Sequence, residues 1–149
     1  MGVVIRRCMI SDTDTIVKFC KDELGYPFSP EQIQENIRRL IGETNSLILV
    51  AELNGEVIGF VHASNHEPIY APPMKNIMAI VIAERYRKQG LGERLLNEVE
   101  AWAKETGAAG IRVNSPVWSD AALRFYKHMG FDYIKSFYNF RKMFKKNAD

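Results

Sequence analysis

The sequence has little that would tie it to an oxidising compartment, a metal or a membrane. Only two cysteines, Cys8 and Cys20, occur in 149 residues. Their spacing is not that of a metal site and no histidine pair lies nearby, so two reduced, partly buried thiols and no metal are expected. No apolar run approaches the roughly 18 residues that a bilayer span needs, and the N-terminus lacks the hydrophobic stretch of a signal peptide. A cytoplasmic setting is the resulting expectation. Internal repeats and low-complexity segments are missing too. A net charge of +2 gives no reason to expect nucleic acid or a membrane surface as partner. Basic residues gather only locally, at Arg85, Arg87 and Lys88 and again at Arg141, Lys142, Lys145 and Lys146. The second cluster reads as a solvated tail.

What is present is the make-up of an ordinary soluble globular protein, 46% hydrophobic and 26% charged. The length suits one domain over residues 1–149. "VVIRRCM" reads as a first strand. Ser11 and Asp12 are N-cap candidates for a helix over "TDTIVKFCKDEL", closed by Gly25. Ser29 and Pro30 open a second helix, whose Ile33, Ile37, Leu40 and Ile41 share one face. "LILVAEL" and "EVIGFVHAS" follow, joined by Asn54-Gly55, a strong type I′ hairpin signal because both residues tolerate positive φ. After the proline-rich "NHEPIYAPP" comes "NIMAIVI", a continuous apolar run that suits a central strand buried on both faces.

From Gly92 onward Leu95, Leu96, Val99, Trp102 and Ala103 recur with helical period, and Gly107 ends the element. "GIRVNS" is a short strand. Ser119 and Asp120 can cap "AALRFYKHM", which stops at Gly130. "FDYIKS" and "YNFRKMF" read as two final β segments. The order β-α-α-β-β-β-α-β-α-β-β contains one strand–helix–strand unit, which implies a parallel pair with a right-handed crossover. The class is α/β, a mixed sheet with helices on both faces.

The stretch "RKQGLGERLL" joins the apolar run to a helix. The first N–H groups of a helix lack intrahelical partners and its dipole favours negative charge there. Glycine lets an anion approach the backbone. Gln89, Gly90, Leu91 and Gly92 would offer the N–H groups, with Arg87 and Lys88 adding charge. An ordinary solvated strand-to-helix connection is the alternative. The spacing is neither the dinucleotide fingerprint nor the P-loop, which disfavours a nicotinamide enzyme or a kinase.

"RKQGLG", from Arg87 to Gly92, resembles the [RQ]-x-x-G-x-[GA] acetyl-coenzyme A signature of the GNAT-type N-acetyltransferases. Ala122, Phe125, Tyr126, Gly130 and Phe131 are similar to the same family's A-x-x-F-Y-x-x-x-G-F pattern, and the element order agrees from Val3 to about Phe144. The resemblance implies a GNAT-like, mostly antiparallel sheet in which a central parallel pair, residues 76–82 and 110–114, splays apart. It implies that pantetheine pairs with the backbone of Ile80, Val81 and Ile82. The pyrophosphate would sit on the amides of Lys88, Gln89, Gly90, Leu91, Gly92 and Glu93. Asn114, Ser119, Ala122 and Phe125 would line the other wall.

The implied reaction moves acetyl from acetyl-coenzyme A to a primary amine of a small molecule or peptide. Tyr126 is the expected general acid for the departing thiolate, a phenol being a donor with an ordinary pKa near 10. The chain departs from the family at two points. Ser119 stands where relatives often carry asparagine, and no carboxylate lies on the central strand, which has Asn76, Met78 and Ala79. A water chain ending on Glu67, His62 or His66 would replace the base. Tyr26, Phe28, Tyr70 and Trp118 are candidate walls for the acceptor, with Glu67 beside them, and Asp22 and Glu23 could attract a cationic amine. A non-catalytic acyl-coenzyme A sensor or interaction module is the competing reading. A homodimer through the C-terminal β segments is a further expectation.

Overall fold

The computed structural model describes residues 2–117 and 119–145, which fall into two compact units, Met1–Val113 and Asn114–Asp149. In the first unit the chain runs β1 (Val3–Arg7), a 3-10 turn (Ile10–Asp12), α1 (Thr13–Asp22), α2 (Pro30–Ile41), β2 (Ser46–Leu53), β3 (Glu56–His66), β4 (Met74–Ile82), a second 3-10 turn (Glu84–Tyr86), α3 (Leu91–Glu105) and β5 (Ile111–Val113). The strands make one sheet in the order β1-β2-β3-β4-β5. It is antiparallel except for β4 and β5, which run parallel with Lys75, Asn76 and Ile77 opposite Ile111, Arg112 and Val113. This is the mixed, mostly antiparallel sheet that was expected. β4 continues to Ile82 while β5 stops at Val113, so the parallel pair opens beyond Ile77.

Local chemistry explains most of the boundaries. The Ser29 hydroxyl accepts the Gln32 N–H at 3.1 Å and Pro30 takes the first position of α2, a cap that contributes about 1 kcal/mol. The β2–β3 hairpin turns on Asn54 at φ 51° and Gly55 at φ 81°, as a type I′ turn demands. Asp12 departs from its expected role, since it makes no side-chain cap bond to α1. Its carboxylate accepts two bonds from Arg6, at 2.8 and 2.9 Å, and the Met9 N–H at 2.8 Å. Charge-assisted bonds to a guanidinium are stronger than a neutral cap bond, and they win the carboxylate.

Both faces of β2 are buried from Ser46 to Ala51. Ile48 and Val50 pack with Ile16 and Phe19 of α1, Ile33 and Ile37 of α2, Phe60 and Val81. Leu47, Leu49 and Ala51 point the other way by strand alternation, toward the layer of α3, which buries Leu91, Leu95, Leu96, Val99 and Ala103. Helices on both faces therefore sandwich the sheet.

β4 is less buried than a central strand of continuous apolar sequence should be. Ile77 and Val81 are buried but Met78 is 56% exposed. The cause is a β-bulge: Ala63 pairs with Ile77 and His62 with Ala79, leaving Met78 unmatched. One extra residue interrupts the ladder and turns the strand locally.

The second unit contains α4 (Asp120–His128), capped by Ser119, whose hydroxyl accepts the Ala122 N–H at 3.4 Å. The expected β segments after it are not formed. Residues 131–145 carry neither helix nor strand, and among the described residues none of 132–140 takes part in a backbone–backbone hydrogen bond. An apolar pattern supplies strand-like faces, but a strand exists only with a partner to complete its ladder.

Candidate functional site

Directly after β4, the 3-10 turn is closed by Tyr86 N–H to Ala83 O at 2.9 Å and Arg87 N–H to Glu84 O at 3.2 Å. Lys88 (φ 62°) and Gly90 (φ 81°) then adopt the left-handed conformation, and Gly90 is the N-cap of α3. The buried Leu91 anchors the start of the helix. Among the described residues, none of the N–H groups of Lys88, Gln89, Gly90, Leu91, Gly92 and Glu93 donates to an acceptor in the protein. A row of unpartnered donors at the positive end of a 15-residue helix has the chemistry to hold an anion with several oxygens.

Arg87, expected to add positive charge at the turn, is held by two partners. Its Nε donates to Ile82 O at 2.9 Å and its Nη2 pairs with the Glu23 carboxylate, so it braces the turn against β4 and the end of α1. Arg85 pairs with Glu56 at 3.2 Å. Lys88 stands exposed at the turn. Ile80, Val81 and Ile82 pair with Val61, Phe60 and Gly59 of β3, and no strand among the described residues pairs with their other edge. Gly59 is required at that crossing, since a Cβ there would lie 2.7 Å from Val81 O.

The bulge adds residues that the sequence pattern did not reveal, because one extra residue inside a uniformly apolar run leaves no break in the pattern. Asn76 accepts a hydrogen bond from Arg112 Nη1 at 2.7 Å and its amide reaches Met78 Sδ at 3.0 Å. His62 lies across from Ala79. Its Nε2 is, among the described residues, the one buried side-chain polar atom without a hydrogen-bond partner. Burial pushes its pKa down, so the ring is neutral at pH 7.

Glu67 is grouped elsewhere. With Asn65, Lys75, Thr44 and Thr106 it lines a cavity of about 250 Å³ on the side where Lys75 lies 3.9 Å from the Trp102 ring centroid of α3. His62 faces the opposite side, with Phe60. His66 ends β3. Tyr26 and Phe28 are exposed in the α1–α2 connection and Tyr70 in the β3–β4 connection. Asp22 ends α1 beside Glu23. Trp118 and Lys146 lie outside the described residues.

In the second unit, Asn114 is exposed, and α4 carries Ala122, Phe125 and Tyr126. The Tyr126 ring meets Phe125 at 5.3 Å and Phe131 at 5.4 Å, both edge-on. Burial pushes the Tyr126 hydroxyl up from its ordinary pKa, which keeps it protonated as a donor. Among the described residues it has no hydrogen-bond partner.

The profile of the acetyltransferase (GNAT) family matches residues 13–131. An N-alpha-acetyltransferase of Sulfurisphaera tokodaii is 26% identical over 139 residues, covering 88% of this chain and 81% of its own. The chain spans about half the length of two mouse relatives from N-acetyltransferase family 8. Among solved structures, aminoglycoside 6'-N-acetyltransferase AAC(6')-Ih from Acinetobacter baumannii superposes with TM-score 0.83 at 20% identity, over 97% of this chain and 100% of that one. AAC(6')-Iy in complex with the bisubstrate analog CoA-S-monomethyl-acetylneamine superposes with TM-score 0.85 at 16% identity, over 96% and 99%.

Proposed function

The chain belongs to the GNAT acetyltransferase family, and from that premise we propose that residues 1–149 work as one N-acetyltransferase domain. It moves the acetyl group of acetyl-coenzyme A to a primary amine of a small molecule or peptide, in the cytoplasm. The observation that carries this reading is the row of unpartnered N–H groups at residues 88–93. A pyrophosphate engages several of them at once, where one exposed charge–dipole contact contributes only about 0.3–1 kcal/mol. The open edge of β4 at Ile80–Ile82 offers backbone groups to the amide-bearing pantetheine arm. A structural neighbour that holds a coenzyme A conjugate supports this placement.

In the proposed reaction the neutral amine nitrogen attacks the thioester carbonyl carbon. A lysine-like amine is only about one part in 2,500 neutral at pH 7, so its proton has to be removed. His62 is the base that the geometry favours over Glu67, being neutral, unpartnered and opposite the bulge, and it takes the proton through water. A β4 backbone N–H stabilises the tetrahedral oxyanion. As the carbon–sulfur bond breaks, Tyr126 donates its proton to the thiolate, leaving the amide and coenzyme A. Ser119, Asn114, Ala122 and Phe125 remain the coenzyme-contacting residues of this reading, and Tyr26, Phe28, Tyr70 and Glu67 its acceptor-side residues.

The absence of a carboxylate at Asn76, Met78 and Ala79 favours a second reading, an acyl-coenzyme A-binding module without turnover. Thiol release from acetyl-coenzyme A, followed over a broad amine panel between pH 7 and 9, separates the two. Acetylation of at least one primary amine, rising with pH, is expected. Coenzyme binding without turnover on any amine would favour the module, and no coenzyme binding would sink both.

A further inference from the structure

Among the described residues two charged side chains are buried, Asp12 and Lys75, and they differ in what compensates them. Asp12 has the Arg6 guanidinium as counter-ion. Lys75, only 5% exposed, has no carboxylate within 4.0 Å among the described residues. Its Nζ donates to Asn65 Oδ1 at 2.5 Å and lies 3.9 Å from the Trp102 ring centroid. Both partners are neutral. An ammonium taken out of water is costly to keep charged unless an anion compensates it. Burial accordingly pushes the Lys75 pKa down, and the charge of Glu67 opposes that shift.

Lys75 and Glu67 line one cavity of about 250 Å³, together with Asn65, Thr44 and Thr106. Their opposite charges are near enough to interact, yet they form no ion pair. An ammonium carries three N–H donors, and Asn65 takes one of them. A lone anion in this cavity would meet Glu67, and a lone cation would meet Lys75. A molecule that carries both charges suits both walls at once. The volume is that of about eight waters, which suits a molecule with roughly that many heavy atoms. Glycine, alanine, serine and threonine are of this size and bear an ammonium and a carboxylate on one carbon.

We propose that this cavity binds a small free α-amino acid, with Lys75 holding its carboxylate and Glu67 its ammonium. The site lies at the start of β4, roughly 20 Å along the strand from the glycine turn that follows Ile82. His62, the base of the proposed reaction, faces the other side of the sheet. Glu67 is the one residue that the two readings share.

Calorimetric titration of the full chain, without coenzyme, against glycine, L-alanine, L-serine and L-threonine tests the assignment. At least one of the four is expected to bind with Kd below about 1 mM. Propionate and isopropylamine, which each carry one of the two charges, should bind at least about tenfold more weakly. Lys75→Met keeps an unbranched stem and removes the ammonium, and Glu67→Gln keeps the shape and removes the carboxylate. Each should weaken the amino acid at least about tenfold, while Lys75→Met leaves the Kd of acetyl-coenzyme A within about threefold. Circular dichroism reports folding, and the exposed Glu67 carries the test if Lys75→Met does not fold. No binding of any of the four at about 10 mM would overturn the proposal. Binding that no folded variant weakens, or equal affinity for propionate or isopropylamine, would overturn it too. These readouts involve no turnover, so they hold whether or not the proposed reaction does.

Discussion

All the buried apolar side chains found among the described residues lie between Val3 and Ala103, inside the first unit, and none lies in residues 114–145. The first unit has a sheet covered by helices on two faces, with Val50, Ile58, Val61, Leu95 and Val99 wholly enclosed. Among the described residues the second has one nine-residue helix, shorter than the roughly 12–15 residues below which isolated helices are marginal, and an apolar segment without helix or strand. In the proposed function, stability and reactivity are divided unequally along the chain. The unit with the core carries the glycine turn proposed to hold the pyrophosphate, and the other carries Tyr126, the proposed proton donor. Changes in the first unit should act on folding, and changes around Tyr126 on turnover.

The largest expected effect tests that division where it matters most. Tyr126→Phe keeps the ring and its edge contacts with Phe125 and Phe131 but removes the proton donor. It should lower kcat about 10²–10⁴-fold while the Kd of acetyl-coenzyme A moves less than about threefold, both read by steady-state kinetics and calorimetry. A lost Kd with kcat intact would reverse the assignment.

Within the first unit, His62 is the position where reactivity should intrude on the scaffold. His62→Gln keeps a polar side chain there and should cost about 100-fold in kcat. The deficit should shrink as pH rises and more amine is already neutral. A pH-independent loss, or none, would remove His62 from the mechanism.

The remaining changes address folding alone. Gly59→Val drives a Cβ against Val81 O and the Ile82 side chain, and overpacking of this kind costs about 1–3 kcal/mol. The drop should appear in urea unfolding. Asp12→Asn should cost about 1.5–3 kcal/mol by weakening the charge-assisted bonds from Arg6. The Arg6 guanidinium, ahead of the Met9 N–H, holds the Asp12 carboxyl below the usual carboxylate range. Its stabilisation is therefore complete above the unfolded pKa of about 4 and lost as pH falls through the depressed folded value. The variant should lose that part of the acid limb. An unchanged acid limb would show that the pair contributes nothing to folding.

Features confined to a few adjacent residues are legible in the sequence itself. Asn54-Gly55, Ser29-Pro30 and the turn into α3 each declare a backbone conformation by the side chains at the turn. The two motifs around Gly90 and Tyr126 likewise point to the family. What a sequence hides depends on partners distant along the chain. Arg87 reads as charge added to the turn, and its pairing with Glu23, 64 residues away, is not visible in the sequence. Asp12 reads as a helix cap, yet Arg6 takes its carboxylate. The bulge at Met78 comes from the register with β3, which no property of "NIMAIVI" records. The final segment carries strand-like residues that form no strand. In each case the missing information is the identity of the neighbour, and a local pattern cannot supply it.

The N–H groups of residues 88–93 as the seat of the coenzyme's pyrophosphate are the centre of this reading. Calorimetric titration of the full chain with acetyl-coenzyme A and with S-acetylpantetheine tests it most directly, because the second ligand keeps the thioester and the amide arm and lacks the pyrophosphate. S-acetylpantetheine is expected to bind at least about 100-fold more weakly, a difference of roughly 2.7 kcal/mol. Equal affinities would contradict the assignment and leave the glycine turn as an ordinary connection between a strand and a helix.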